Sequence, residues 1–240
     1  IKQENKGSAN ATNQGIKTAK MKYIKFLDAD DLILSDSTKL LVDILEKNSS
    51  CILAYGLQRK VDNIVNVNLN ERINNYEIEM IENPTKLAMR NSMFNPSQFL
   101  VRTSICKSVG GCDERIRFSQ EYSLTLRLSK IGPFVKLNYP IAILPFSAPG
   151  QISEKKNNQI FRVSKALELF INENDDLPIK TRLYAQRRLT ARAWRFARNN
   201  KIRNLYLKYF ILYLIGLLRI NIKPLEICKQ ANKIYEPFLD

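Results

Sequence analysis

The chain has 240 residues, with 38 Lys and Arg against 23 Asp and Glu, for a formal net charge of +15. It contains no histidine, and Cys51, Cys106, Cys112 and Cys228 are scattered without C-x-x-C spacing, so the usual zinc patterns are excluded and buried free thiols are expected. Its longest apolar run, Tyr209–Leu218, lies between Lys208 and Arg219 and is too short to cross a bilayer as a helix.

Residues 1–4 read as the tail of a strand entering the glycine-punctuated loop Asn5–Asn13, which leads into a helix ending near Lys20. Tyr23–Leu27 is a short, largely apolar strand that delivers Asp28, Asp30 and Asp31 at its carboxyl end. Open α/β sheets bind ligands at that edge. Clustered carboxylates repel one another unless a cation joins them, and hard oxygen ligands select Mg²⁺ or Mn²⁺. Ser35 or Asp36 caps a helix whose Leu40, Leu41, Ile44 and Leu45 form one face. Cys51–Tyr55 reads as a buried strand closed by Gly56, and the polar stretch 57–83 as a variable loop with an edge hairpin.

Pro84 starts a short helix through Arg90, Gln98–Arg102 is a strand, and Thr103–Val109 a helix stopped by Gly110 and Gly111. Glu121–Ile131 is a helix with Leu124, Leu128 and Ile131 inward, followed by strands Phe134–Leu137 and Ile141–Leu144. The alternation predicts a mostly parallel, mixed α/β sheet. Beyond residue 153 only helices are predicted, near 159–171, 182–198, 204–218 and 225–234.

Four motifs recur in order: Asn5–Ile16, Phe26-Leu27-Asp28-Ala29-Asp30-Asp31, Gly110-Gly111-Cys112-Asp113-Glu114, and Gln120-Glu121 opening a helix with Leu126-Arg127-Leu128. Together they resemble the family 2 glycosyltransferases of the GT-A fold over residues 1–153. The resemblance implies a Rossmann-like mixed sheet flanked by helices over 1–153, lacking two amino-terminal strand–helix units, and an all-helical extension over 154–240. It also implies transfer of a sugar from a nucleotide diphosphate-sugar to a glycan or lipid-linked acceptor, with inversion. Bacterial surface polysaccharide synthesis at the cytoplasmic membrane face is the expected setting.

By that resemblance Asp30 is the first metal ligand, for Mn²⁺ or Mg²⁺, with Asp28 beside it and on the donor. Glu121 stands where the family places its catalytic base, although the family's acidic pair here reads Gln120-Glu121. Asn5, Lys6, Gly7 and Asn13 are expected at the donor, and Asn95 and Gln98 at the acceptor. Asp113 and Glu114 are expected in turn or capping roles.

Three positions depart from the pattern: Thr12 replaces an arginine, Met21 a turn glycine, and Ala148 a histidine before Gly150-Gln151-Ile152-Ser153. They support an alternative expectation, an impaired remnant acting as a binding or scaffold protein.

Residues 180–233 carry 14 Lys and Arg and one acid, Glu226, whereas the rest of the chain is nearly neutral. Arg187, Arg188, Arg192, Arg195 and Arg198 recur at helical spacing among Leu183, Leu189, Trp194 and Phe196. Such a block either packs its apolar face on the catalytic part, leaving arginines in solvent, or also meets an anionic membrane surface. No nucleic-acid-binding motif is present.

Overall fold

The computed structural model describes residues 1–116, 120–146, 156–220 and 223–238. Ala148 and the Gly150–Ser153 segment lie outside the described residues. In chain order the first part of the chain contains α1 (Ser8–Thr18), β1 (Tyr23–Lys25), β2 (Leu32–Ile33), α2 (Ser37–Lys47), β3 (Leu53–Val61) and β4 (Ile78–Ile81). It continues through α3 (Thr85–Arg90), β5 (Phe99–Arg102), α4 (Thr103–Ser108), α5 (Gln120–Ser129) and β6 (Phe134–Pro145).

The strands form one sheet in the order β1-β5-β3-β6-β2, with β4 added against β6. Among the described residues only the β3–β6 pairing is parallel; β1–β5, β3–β5, β2–β6 and β4–β6 are antiparallel. The sheet is therefore mixed, as expected, but not mostly parallel. Helical crossovers are visible in the sequence, whereas the direction in which each strand docks is not.

Two strand boundaries also differ from expectation. Gly56 does not close β3; the strand runs on to Val61 across a register shift beside β6. A Cβ at Gly56 would stand 2.7 Å from Ile141 Cγ1, so this glycine permits close approach rather than termination. Residues 134–145 form one strand, β6, which continues through Pro140.

Period-two alternation divides the sheet residues between two faces. Leu53, Tyr55, Phe99, Val101 and Phe134 pack with Ile16 of α1 and Leu124 and Leu128 of α5. Ala54, Leu100, Val135 and Leu137 pack with Leu41, Ile44 and Leu45 of α2. Helices thus cover both faces, and α1 and α5 lie on the face from which the candidate site opens.

The remaining helices are α6 (Lys156–Asn172), α7 (Ile179–Asn199), α8 (Tyr206–Leu217) and α9 (Pro224–Asn232). Their core is shared with the sheet-containing part: Ala88 and Met89 of α3 and Tyr122 and Leu126 of α5 join Leu167, Phe170, Leu189, Ala193 and Phe196. Arg188 and Arg192 are not left to solvent alone. Both donate to the Arg90 carbonyl at the end of α3, at 2.5 Å and 3.3 Å. Guanidinium groups there meet the negative end of the helix dipole.

Candidate active site

The D-A-D turn leaves β1 and is held from beneath by Ser97, on the 3₁₀ turn before β5. The Asp28 amide donates to Ser97 Oγ at 3.0 Å, and Asp31 N–H donates to the Asp28 carbonyl at 3.2 Å. Lys25 reaches under the turn, donating to the carbonyls of Ser97 at 2.6 Å and Phe26 at 2.8 Å. Burial lowers its pKa to about 8, although Asp31 and Asp28 pull the other way.

Asp28 and Glu121 line one cleft, with Thr12, Phe26, Leu27, Pro96, Phe99, Cys112 and Leu124. Its volume is about 80 Å³. Asp28 arrives from the β1 end and Glu121 from the first turn of α5, so residues 93 positions apart share a wall. Burial raises Asp28 to about 6, helped by the charges of Asp31 and Asp30 and opposed by Lys25. Burial likewise raises Glu121 to about 7; its own backbone amide opposes this and the Asp28 charge adds to it. A carboxyl group poised near neutrality in a cleft is suited to general acid–base work.

Asp30 is exposed on the turn and does not line the cleft wall. Asp31 is buried, raised by burial, and hydrogen-bonded through its carboxylate to Ser97. Among the described residues no group of three or more His, Cys, Asp or Glu side chains is arranged to hold a metal ion. The donor set still suits a cation: Lys25 offsets only part of the negative charge at Asp28, which Asp30 and Asp31 reinforce, and Asp28 and Asp30 are hard carboxylate ligands that substrate oxygens would complete.

Asn13 is committed elsewhere. Its Nδ2 donates to the Cys112 carbonyl at 2.9 Å and to Glu114 Oε1 at 2.8 Å, and its Oδ1 accepts from the Cys112 amide at 2.8 Å. Asn10 binds the other oxygen of Glu114 at 2.8 Å, and these amide bonds hold the Glu114 carboxyl below its usual range. This brings the Asn5–Asn13 segment to the G-G-C-D-E loop as a clamp. Asn5 Oδ1 accepts from the Gly7 amide at 3.1 Å, and Gly7 enters α1 with φ of 88°. Lys6 is exposed, and none of Asn5, Lys6 and Gly7 lines the cleft.

Asn95 and Gln98 likewise make protein contacts. Gln98 Oε1 accepts from the Asn95 amide at 2.9 Å, and its Nε2 donates to the Gly56 carbonyl at 2.8 Å. Asn95 Nδ2 donates to Gln58 at 2.8 Å. Their neighbours Pro96 and Ser97 are the residues of this segment that meet the cleft and its acidic turn.

Asp113 is buried and pairs with Arg115 at 2.6 Å and Arg127 at 3.2 Å. Burial would raise its carboxyl, but the Arg115 hydrogen bonds and the Arg127 charge outweigh this and lower it. Arg115 also pairs with Glu173 beyond α6, tying the loop to the helical extension. All four cysteines are free and buried. Burial raises the thiol of cleft-lining Cys112, which keeps it protonated and unsuited to nucleophilic work.

Sequence reasoning missed Ser97 and Lys25. Lys25 falls in the middle of the expected strand Tyr23–Leu27, where a polar residue reads as an outward position, whereas β1 ends on it. Ser97 is 69 residues from the turn it supports, and nothing local marks it.

Residues 1–110 match the family described as Glycosyl transferase family 2. This part of the chain is a family 2 glycosyltransferase domain. The domain is similar to chondroitin synthase of Escherichia coli, 29% identical over 138 residues, covering 58% of this chain and 19% of that protein. An uncharacterized glycosyltransferase of Rickettsia typhi is 24% identical over 134 residues, covering 54% of this chain and 41% of its own length. The chain therefore spans less than half the length of these two relatives. A crystal structure of S. aureus TarS 1–349 superposes with a TM-score of 0.57 at 14% identity, covering 97% of this chain and 71% of the other. That likeness bears out the GT-A fold, with its carboxyl-terminal helices, over 97% of this chain.

Proposed function

We propose that the chain transfers a sugar from a nucleotide diphosphate-sugar to a glycan or lipid-linked acceptor by single displacement with inversion, in polysaccharide synthesis. The observation that carries this reading is the shared cleft of Asp28 and Glu121, on a chain whose first 110 residues match the family. Glu121 is the general base: it accepts the acceptor hydroxyl's proton as the oxygen attacks the anomeric carbon and the nucleoside diphosphate departs. Its pKa of about 7 matches that task, because a base near the working pH is both deprotonated and basic enough to drive transfer.

Asp28 and Asp30 are the residues that would hold Mn²⁺ or Mg²⁺. Bound there with the donor, the cation supplies Lewis-acid neutralisation of the leaving diphosphate. Ser97 and Lys25 keep the turn in place. Phe26, Phe99 and Leu124 give the cleft an apolar wall that limits water near the reacting carbon.

One observation favours a second reading. Thr12, where the family pattern has arginine, does line the cleft, and among the described residues no Lys or Arg lines it. A cleft without that cation suits an impaired glycosyltransferase kept as a binding or scaffold protein. Screening nucleotide diphosphate-sugars for Mn²⁺-dependent thermal stabilisation and for transfer or hydrolysis separates the two. Stabilisation with turnover that Glu121→Gln abolishes supports the enzyme; stabilisation without turnover supports the remnant; neither response refutes donor binding altogether.

A further inference from the structure

Helix α8 is apolar on both sides. Its inner side packs on α7: Tyr209 is buried, and a side chain at Gly216 would collide with Thr190 and the Arg187 backbone. Trp194 of α7 packs against the rings of Tyr206 at 4.5 Å and Phe210 at 5.0 Å. Among the described residues the opposite side has no such partner. Leu207, Ile211, Leu214 and Leu218 follow one another at helical spacing directly opposite Tyr209, with relative exposures of 70%, 47%, 37% and 68%. A helix that meets only water carries polar residues on that stripe.

Charge around the stripe is predominantly positive; Glu226 pairs with Lys223 at 3.8 Å at its edge, and Glu236 lies near Tyr209 on the inner side. Residues 199–225 contain no Asp or Glu, while Lys201, Arg203, Lys208, Arg219 and Lys223 are all exposed. A second copy docked by two-fold symmetry would set Lys201, Arg203, Lys208 and Arg219 against the same cations, and residues 199–225 bring no carboxylate to pair them. A bilayer containing anionic lipids supplies both missing partners, an apolar phase for the stripe and phosphate for the rim. No helix among the described residues is long and apolar enough to cross a membrane, so α8 would lie in the interface plane.

We propose that the outward face of α8 docks on an anionic lipid surface, with Leu207, Ile211, Leu214 and Leu218 entering the acyl boundary and the flanking Lys and Arg side chains contacting headgroup phosphates. This placement is independent of the sugar-transfer reading. It differs from a general basic patch because the apolar stripe, and not charge alone, carries the binding.

The test is sedimentation of the full chain with phosphatidylcholine vesicles, with and without phosphatidylglycerol. The parent should pellet with the anionic vesicles and remain in solution with the neutral ones. Ile211→Gln with Leu214→Gln should weaken that partition about ten-fold or more, since each change withdraws several methylenes from the acyl phase. Both positions point away from the core, and emission of the single tryptophan, Trp194, reports whether the fold is kept. Lys208→Glu with Arg219→Glu should abolish the preference for phosphatidylglycerol.

A parent that stays in solution with anionic vesicles would overturn the proposal. So would binding that survives the Ile211 and Leu214 changes, since that would be electrostatics alone. A failure to bind vesicles, with a concentration-dependent dimer dissolved by the same double change, would assign the face to a second copy instead.

Discussion

Replacing Gly111 with alanine should unfold the joint between α1 and the cleft wall, and Gly110 provides an internal control. Both glycines have positive φ, 75° at Gly110 and 69° at Gly111. An L side chain in that region costs roughly 1–2 kcal/mol at either position. A Cβ at Gly110 meets nothing within 4 Å. At Gly111 it would press into Asn13 Oδ1 and sit 3.2 Å from Asn13 Cγ and 3.3 Å from Ile16 Cδ1. Asn13 then has to leave, giving up its bonds to both Cys112 backbone groups and to Glu114. At about 1 kcal/mol for each of those bonds, Gly111→Ala should lose about 4–5 kcal/mol in total. Gly110→Ala should lose only the backbone part. Urea unfolding followed by Trp194 fluorescence measures the difference, expected at about 3 kcal/mol, and scanning calorimetry should show a Tm gap of roughly 6–12 °C for a chain of this size. Asn13→Ala, which removes the bonds without the backbone strain, should fall between the two. Equal losses at Gly110 and Gly111 would refute the clamp.

Glu121→Gln should keep donor binding and lower transfer by about 10²-fold or more, as loss of a general base does. Parent transfer rates should rise with pH through about 7, and Asp28→Asn should move that rise to lower pH, because the Asp28 charge is one cause of the raised Glu121 value. Stability should run the opposite way. The folded carboxyl is raised from 4.5 to about 7, so its contribution is fully present below 4.5 and is lost as pH rises through 7. Glu121→Gln should therefore be more stable than the parent at pH 8 and not at pH 4, by thermal denaturation. Asp30→Ala should abolish Mn²⁺-dependent stabilisation by nucleotide diphosphate-sugars, and a response equal to the parent's would remove Asp30 from the metal site. Asp113→Ala should cost about 3 kcal/mol by urea unfolding, since it leaves the partly buried Arg127 beside Arg115 with only the more exposed Glu173 as a shared carboxylate.

Much of the fold was legible because it is written at short range. Apolar residues three and four apart placed Leu41, Ile44 and Leu45 on the buried face of α2, and the structure buries all three. The helices beyond residue 153 begin and end within a few residues of expectation, since caps and periodicity are local signals. Strand limits were less legible. β3 passes through Gly56 because Ile141 fills the space where a side chain would be, and that neighbour is 85 residues away.

The candidate site divides the same way. Asp28 at a strand end and Glu121 in the first turn of a helix follow from local pattern and from motif order, and the structure puts both on one cleft. The amides of Asn13, Asn95 and Gln98 read as groups free to meet substrate, but each already bonds to the protein. Whether a donor is free depends on what stands opposite it, and no local pattern records that.

By itself the sequence determined the type and order of the elements, the ordered motifs of a family 2 glycosyltransferase, and the basic character of the carboxyl-terminal helices, because composition, periodicity and capping act over a few residues. Only the tertiary structure decided that Ser97 and Lys25 support the acidic turn, that Arg188 and Arg192 cap α3, and that α8 turns an apolar stripe outward. Those outcomes depend on contacts between residues many tens of positions apart, which are chosen by the packing of the whole chain.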